Sequence, residues 1–428
     1  MFPPANGRLN YGGKRTDRAL MNLLRHATVR NLIAIYVPSV IMSFGQGLVI
    51  PTIPRMAAAF DVTPGMAAQV VTAVSLGRLL TMFPSGMFVD RFGTRAAMLL
   101  GALGLTGVCI LTTLAPAFWV VLAAQFGAGA AVALWQTGRE ISAINLVRPD
   151  QRGRLMAGFF GLTSLGIAIG PVVGGLATDA FGFQAAFLLY AGVGLAVLGI
   201  SAFVKNVRPP ARAGGQAFLN FGSIREVEPR YRATFIIIII SSCVDFLYRT
   251  MTNSLLPLYV VTQRGFSSLD LGALFGIIGA VNVAFILPTG FISDKLGRKA
   301  ASVPSALLMA ASYVLFPLAN SFNWLAVACA VLAGGAGLGN GSKATYSYDV
   351  IPEHARGRLQ ALRRTLGEFG SLTGPILGGL IADAWNPGAA FWVFAPLQVV
   401  SALLLIFVAK ETMGRGQRKG VGTHVAGQ

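Results

Sequence analysis

Charged residues are scarce in this sequence, and most of them are basic. Only 12% of the 428 residues are charged, 54% are hydrophobic, and the mean hydropathy is +0.65. Soluble domains of this total length would need more polar surface than the chain can supply. The same numbers argue against a soluble enzyme, and they exclude an intrinsically disordered chain, a collagen and a disulfide scaffold.

Metal-binding and disulfide-forming residues are few as well. The three cysteines, Cys109, Cys243 and Cys329, lie far apart within apolar runs, which is typical of core thiols. The three histidines have no ligand spacing, and no phosphate-binding loop, Cys-x-x-Cys pair or spaced Ser-His-Asp set is apparent. We therefore expect no metal, no bound cofactor, no use of ATP and no enzymatic activity.

Long apolar runs dominate the chain instead. A helix that crosses a bilayer needs about 20 mostly apolar residues. Twelve runs of this kind predict an all-α integral membrane protein, and they lie near residues 31–52, 66–88, 97–115, 118–146, 156–177, 184–204, 234–261, 270–292, 301–320, 323–348, 360–381 and 389–409.

A polar stretch divides these runs six and six. It spans residues 205–232 and contains prolines and glycines, as linkers do. The predicted organisation is an N-terminal tail, a six-helix bundle, a cytoplasmic linker, a second six-helix bundle and a C-terminal tail, at 1–30, 31–204, 205–232, 233–409 and 410–428 respectively.

The basic residues predict the orientation in the membrane. If the chain starts inside, 26 of the 34 Lys and Arg residues fall in inner segments, and the outer loops hold only Arg55 and Arg264. This distribution predicts a protein of the cell (inner) membrane with both termini cytoplasmic. It explains the net charge of +18 without a nucleic-acid partner. Residues 1–30 carry six of these basic residues and no cleavage site, so we expect a retained tail beside anionic lipid.

The two halves of the chain repeat each other. Twelve pairs of like residues are each separated by 204 positions, namely Pro84 and Pro288, Gly86 and Gly290, Asp90 and Asp294, Gly93 and Gly297, Arg139 and Lys343, Gly153 and Gly357, Arg154 and Arg358, Gly170 and Gly374, Pro171 and Pro375, Gly174 and Gly378, Gly175 and Gly379, and Asp179 and Asp383. A single register shared by so many pairs indicates two homologous six-helix bundles with pseudo-symmetry.

One repeated segment carries a family resemblance. The run Gly86-Met-Phe-Val-Asp90-Arg91-Phe-Gly93-Thr-Arg95 resembles the loop between spans two and three of the major facilitator superfamily. A weaker copy contains Gly290, Asp294 and Gly297. The resemblance covers nearly the whole chain and implies the two-bundle fold of that superfamily, a monomer, and a loop in which Asp90 and Arg91 latch the cytoplasmic side in the outward-facing state. Gly93 permits the tight turn such a loop needs.

A second motif resembles the drug:proton antiporter, or multidrug efflux, branch of this superfamily. In span five it consists of Gly166, Gly170, Pro171, Gly174 and Gly175. Glycines at a spacing of four let another helix approach closely, and the proline removes one backbone hydrogen bond. The motif favours export, but span eleven repeats it with Gly374 and Pro375, so a purely structural packing strip stays an alternative. Ala123 also departs from the family, since many proton-coupled exporters carry an arginine there.

Charged and amide side chains within the spans are the candidates for binding and coupling, because such groups are costly in a bilayer unless they face a cavity or each other. The candidates for the substrate cavity are Gln46, Arg78, Gln136, Asp245, Arg249, Asn340, Lys343 and Arg364. The candidates for proton coupling are the carboxylates of Glu140, Asp245 and Glu368.

Several of these residues have a structural alternative. Asp245 with Arg249, and Arg364 with Glu368, have the i,i+4 spacing of neutralised pairs within one helix. Arg139 and Glu140 can belong to a cytoplasmic gate. Arg78 has no acid at helical spacing.

The leading hypothesis is secondary active efflux of a small amphiphilic organic compound by alternating access, with protons as the coupling ion and no other cofactor. The excess of intramembrane cations favours an anionic or zwitterionic substrate. A symporter or exchanger for an organic anion is the first alternative. A membrane sensor or scaffold without transport activity is the second.

Overall fold

The computed structural model describes residues 36–146, 152–204, 206–207 and 221–412. The predicted tail at 1–30, most of the linker and most of the C-terminal tail lie outside these residues, as do the side chains of Asn340 and Asp294. Within the described ranges the chain forms long helices and no strand. The helices are α1 Tyr36–Ala59, α2 Pro64–Phe92, α3 Thr94–Thr113, α4 Phe118–Leu146, α5 Arg152–Phe181, α6 Phe183–Ser201, α7 Arg232–Leu258, α8 Ser268–Lys295, α9 Arg298–Leu318, α10 Phe322–Val350, α11 Arg356–Ala384 and α12 Pro387–Phe407.

Local sequence sets where several helices begin. Thr63 accepts a hydrogen bond from the backbone of Met66, and Pro64 takes the first helical position of α2. Ser267 and Asp270 form a reciprocal capping box at the start of α8. Polar side chains of this kind satisfy backbone N–H groups that have no partner within the helix.

Two glycines make the turns of the repeated loop. Gly93 between α2 and α3 has φ 89°, and Gly297 between α8 and α9 has φ 109°. Other residues rarely adopt this left-handed backbone. The tight turn predicted at Gly93 therefore has its physical basis in the structure, and the second half of the chain repeats it.

Each half forms a bundle of six helices. In the first bundle α4 packs against α2 and α3, and α3 packs against α6. The second bundle repeats this arrangement with α10, α8, α9 and α12, while α7 packs against α11. The two bundles contact each other through α2 with α11 and through α5 with α8. The prediction of twelve helices in two pseudo-symmetric bundles is confirmed.

Eleven of these helices are long and apolar enough to cross a membrane by themselves. The remaining one, α11, has 29 residues but carries several arginines and Glu368. A span with this many charges needs polar surroundings at membrane depth. The helix that the repeat identifies as span eleven is therefore the first place to look for a functional site.

Candidate functional site

At one end of the molecule, the C-terminus of α11 is hydrogen-bonded to the other bundle. The Asp383 carboxylate accepts hydrogen bonds from the backbone N–H of Gly65 at 2.7 Å and from the Thr63 hydroxyl at 2.9 Å. One turn further in, the Gln69 amide donates to the backbone oxygen of Pro375 at 3.4 Å. A carboxylate at the N-terminus of α2 also interacts favourably with the helix dipole.

The symmetry-related contact lies between α5 and α8. The Asp179 carboxylate accepts hydrogen bonds from the backbone N–H groups of Ser268 at 3.2 Å and Leu269 at 2.8 Å, and Arg55 forms an ion pair with it at 3.0 Å. Asp179 and Asp383 are thus equivalent residues of the repeat, and each caps a helix of the opposite bundle. We call them the end carboxylates, and the end of the molecule that carries them the closed end.

The glycine motif of α5 has two packing faces. Gly166, Gly170 and Gly174 lie against the backbone of α1 within their own bundle. The backbone oxygen of Pro171 lies against Gly272 of α8 in the other bundle, and Gly175 lies against the start of that helix. The motif therefore serves helix packing inside the bundle as well as contact between the bundles.

Its copy in α11 repeats this division. Gly374 packs on Leu247 of α7, within the second bundle. Its other face meets α2 of the first bundle, where Pro375 accepts the hydrogen bond from Gln69 and Gly379 lies against Gly65. Close packing at both faces requires small residues at these positions.

The opposite end carries the repeated loops, and we call it the loop end. A Cβ added at Gly86 or Gly290 would have no atom within 4 Å. The Asp90 side chain is exposed and makes no hydrogen bond or ion pair with the described residues, and the Arg91 guanidinium lies over the ring of Phe92. In this conformation the predicted latch residues form no hydrogen bond or ion pair with the second bundle among the described residues.

The loops are instead held within their own bundles. The backbone N–H of Arg95 donates to the side-chain oxygen of Asn206, which follows α6. In the second half the backbone N–H groups of Arg298 and Lys299 both donate to the carboxylate of Glu411, which follows α12. Each bundle therefore fastens the start of its third helix to the end of its sixth.

A buried ion pair lies inside the second bundle. The Lys343 ammonium on α10 contacts both carboxylate oxygens of Asp245 on α7, at 2.7 and 2.6 Å. The Gln398 amide on α12 donates to the same carboxylate at 3.0 Å. The side chains of Lys343 and Asp245 are only 4% and 23% exposed, so the pair is shielded from solvent.

A second ionic group links the bundles nearer to the loop end than to the closed end. Arg139 on α4 is buried, lies over the Trp135 ring, and contacts Ser39 and Glu140, each at 3.4 Å. The other oxygen of Glu140 lies 3.9 Å from the guanidinium of Arg364 on α11. Glu140 and Arg364 are 36% and 49% exposed, and they come from different bundles, so a solvent-accessible gap lies between the bundles here.

Arg78, Arg249 and Glu368 form the third polar group. The guanidinium of Arg249 on α7 lies within electrostatic range of Glu368, Arg78 and Arg364. Glu368 is buried, and its Oε2 has no hydrogen-bond partner. The Nε of Arg78 is likewise buried without a partner. Hydrogen-bonding capacity on both a cation and an anion is therefore unused at this place.

The structure brings together most of the candidates found by sequence, but in different pairs. Asp245 contacts Lys343 of another helix, and Arg364 contacts Glu140 of the other bundle, so the two in-helix pairs of the structural alternative are not formed among the described residues. Arg249 instead lies exposed beside the ring of Phe246.

The amide candidates are less central. Gln46 on α1 and Gln136 on α4 are half-buried, and Asn340 falls outside the described side chains. Gln398 is not among the residues predicted from the sequence, because it has no charge and no copy in the repeat. Among the described residues no three His, Cys, Asp or Glu side chains lie close enough together to hold a metal ion.

Two helical bundles with charged side chains within their spans, some of them exposed between the bundles, define a multi-pass membrane transporter. The sequence matches the Major Facilitator Superfamily over residues 36–283 and 238–425. Because these matches extend over most of the chain, the protein belongs to this superfamily.

Curated relatives agree with this assignment. The tetracycline resistance protein, class C, of Escherichia coli is 27% identical over 375 residues, which cover 83% of this chain and 91% of that protein. Multidrug resistance protein 2 of Bacillus subtilis is 23% identical over 393 residues, which cover 89% of this chain and 96% of that protein.

Solved structures share the fold. A POT family transporter in complex with 5-aminolevulinic acid has a TM-score of 0.74 at 15% identity, with coverage of 89% of this chain and 96% of that chain. A mutant form of the nucleoside transporter NupG has a TM-score of 0.72 at 12% identity, with coverage of 88% of this chain and 98% of that chain. The protein is thus a secondary transporter of a small molecule rather than an enzyme.

Proposed function

We propose that the protein is a proton-coupled exporter of a small amphiphilic organic compound, which works by alternating access as a monomer. The carrying observation is the asymmetry between the two ends of the molecule. Asp179 and Asp383 join the bundles at the closed end, whereas Glu140 and Arg364 of opposite bundles are exposed to the gap nearer the loop end. Relatives that are named as resistance proteins support export as the direction.

Basic residues support one orientation of this asymmetric molecule. The loop end carries Arg91, Arg95, Lys295 and Lys299, so the excess of Lys and Arg favours its placement on the cytoplasmic side of the inner membrane, with both termini. The closed end then faces outward. With this orientation we propose that the conformation is inward-facing, which is the state in which an exporter takes up its substrate.

Glu368 is the proton carrier that we propose among the three intramembrane carboxylates. Asp245 has both oxygens engaged by Lys343, and Glu140 lies between two arginines. Glu368 is buried, and one of its oxygens has no partner. A carboxylate in this position is the one best placed to gain and lose a proton as the substrate comes and goes.

The test uses the full-length protein in liposomes with an internal pH-sensitive dye and tetracycline and a set of multidrug substrates as probes. We expect probe movement to be coupled to opposite proton movement and to stop when a protonophore collapses the gradient. Glu368→Gln should abolish the coupling, whereas Glu353→Gln, the same change at a side chain 73% exposed, should not.

Two results would contradict the proposal. Probe flux that is indifferent to the pH gradient and to Glu368→Gln would remove proton coupling. Uptake of an anionic probe in the same direction as protons would instead identify the symporter of an organic anion, which the excess of intramembrane Arg and Lys favours as the second candidate.

A further inference from the structure

Arg78 and Glu368 lie at the same depth on two helices that contact each other. Antiparallel α2 and α11 meet at Gly65 with Asp383 and at Gln69 with Pro375 and Gly379. Both helices rise by about 1.5 Å per residue. Arg78 and Glu368 are each roughly ten residues from the contact at Gln69, in the direction away from the closed end. The two residues therefore lie at the same depth, although they belong to different bundles.

Both residues have buried hydrogen-bonding atoms without a partner, as described for Arg78 Nε and Glu368 Oε2. Leaving polar atoms of charged groups buried and unpaired is costly, and most such atoms in native proteins are paired. Lys343 and Asp245, in contrast, satisfy each other within one bundle. A ligand that bridges the two bundles at this depth would supply an acceptor for Arg78 and a donor for Glu368.

The surrounding charges define the chemistry of such a ligand. The charge of Arg249 interacts with those of Glu368, Arg78 and Arg364, so cations outnumber the one carboxylate among these groups. Guanidinium groups bind carboxylates strongly and with fixed geometry. The exposed side of Arg249 also adjoins the Phe246 ring, with its guanidinium carbon 4.9 Å from the ring centroid, which offers an apolar surface.

We propose that Arg78 and Arg249 bind the carboxylate of a zwitterionic substrate and that Glu368 binds its ammonium group. This inference rests on the proposed transport function and narrows its substrate to small zwitterions with an apolar part. Glu368 then holds either a proton or the substrate ammonium. When the ammonium binds, the proton leaves Glu368 for the water in the gap, so one carboxylate serves both ions.

The experiment measures binding to the purified full-length protein at pH 7 by calorimetry. The probes are several aromatic scaffolds, each as the amino acid, the N-acetyl amino acid and the amino acid amide, which are zwitterionic, anionic and cationic forms. We expect the zwitterion of at least one scaffold to bind at least about tenfold more tightly than its two matched forms, the effect of one charge-assisted hydrogen bond.

Variants separate the two halves of the site. Arg78→Gln should weaken binding of the zwitterion and of the anion about tenfold or more, and Glu368→Gln should weaken binding of the zwitterion without weakening that of the anion. Arg363→Gln is the control, because Arg363 donates to Gln360 and Ser242 within its own bundle. Circular dichroism and melting temperature establish that each variant is folded.

Three results would overturn the inference. They are binding of the cationic form as tight as that of the zwitterion, no binding of any zwitterion, and zwitterion binding that neither Arg78→Gln nor Glu368→Gln changes. Proton-coupled flux of a cationic probe in liposomes together with any of these results would leave the proposed function intact. Absence of proton-coupled flux for every probe would instead overturn the function itself.

Discussion

Replacing Asp179 and Asp383 together by asparagine is expected to open the closed end. Both oxygens of each end carboxylate accept a hydrogen bond from the start of a helix of the opposite bundle. The donors to Asp179 are two backbone N–H groups, and the donors to Asp383 are one backbone N–H group and the Thr63 hydroxyl. Asparagine keeps one oxygen, places an amide against the other donor, and removes the charge that interacts with the helix dipole.

The magnitude follows from these contacts. A charge-assisted hydrogen bond contributes about 1.5–3 kcal/mol, but both carboxylates are partly exposed, so we expect about 1 kcal/mol per site, as for a helix cap. The two sites lie on different helix pairs, and their effects should add to about 2 kcal/mol. The equilibrium between the inward-facing and outward-facing states would then shift roughly 30-fold towards the outward-facing state.

Labelling of a single cysteine measures this shift. Val172→Cys, in a variant without the three natural cysteines, lies in the contact between α5 and α8, where it faces Gly272 and Gly276. A membrane-impermeant maleimide added from outside should react with it tens of times faster in the Asp179→Asn, Asp383→Asn protein. Asp61→Asn is the matched control, since Asp61 is exposed and forms no bond to the second bundle among the described residues. Equal labelling rates in all three proteins would refute the reasoning.

Two further predictions concern stability, measured as thermal unfolding of the purified protein in detergent. Lys343→Met leaves the Asp245 carboxylate without its cation and should lower the free energy of unfolding by about 3 kcal/mol or more. Adding Asp245→Leu should recover most of that loss. Equal loss in the single and double variants would contradict this prediction. Gly93→Ala should cost about 1–3 kcal/mol because its φ is 89° and the new Cβ would overlap Asn206. The control is Gly86→Ala, where space is open and no loss is expected; equal effects at both glycines would count against the turn argument.

The fold was largely predictable from the sequence, because its signals are local or periodic. Apolar runs are long enough to mark the spans, and the offset of 204 residues relates the two bundles. Gly93 and Gly297 mark turns that need a left-handed backbone. Span eleven was predicted as an apolar run at 360–381, and α11 lies there, although its charges keep it from qualifying as a span by hydropathy alone.

The pairing of charged residues was not predictable in the same way. The i,i+4 spacing pointed to partners within one helix, yet Asp245 meets Lys343 and Glu140 meets Arg364 across helices. Spacing along a helix defines which residues share a face, but the packing of the neighbouring helices decides which side chains that face contacts. The end carboxylates appeared in the sequence only as one more repeated pair.

The sequence by itself determined that this chain is a helical membrane protein of two related halves with its basic residues gathered at one side, because each of those properties depends on composition or on periodicity. Only the tertiary structure decided which end is closed and which charges remain unpaired. Those properties depend on contacts between residues such as Gly65 and Asp383, which are far apart in the chain and meet only when the bundles pack. Arg78 and Glu368 became a candidate site for the same reason.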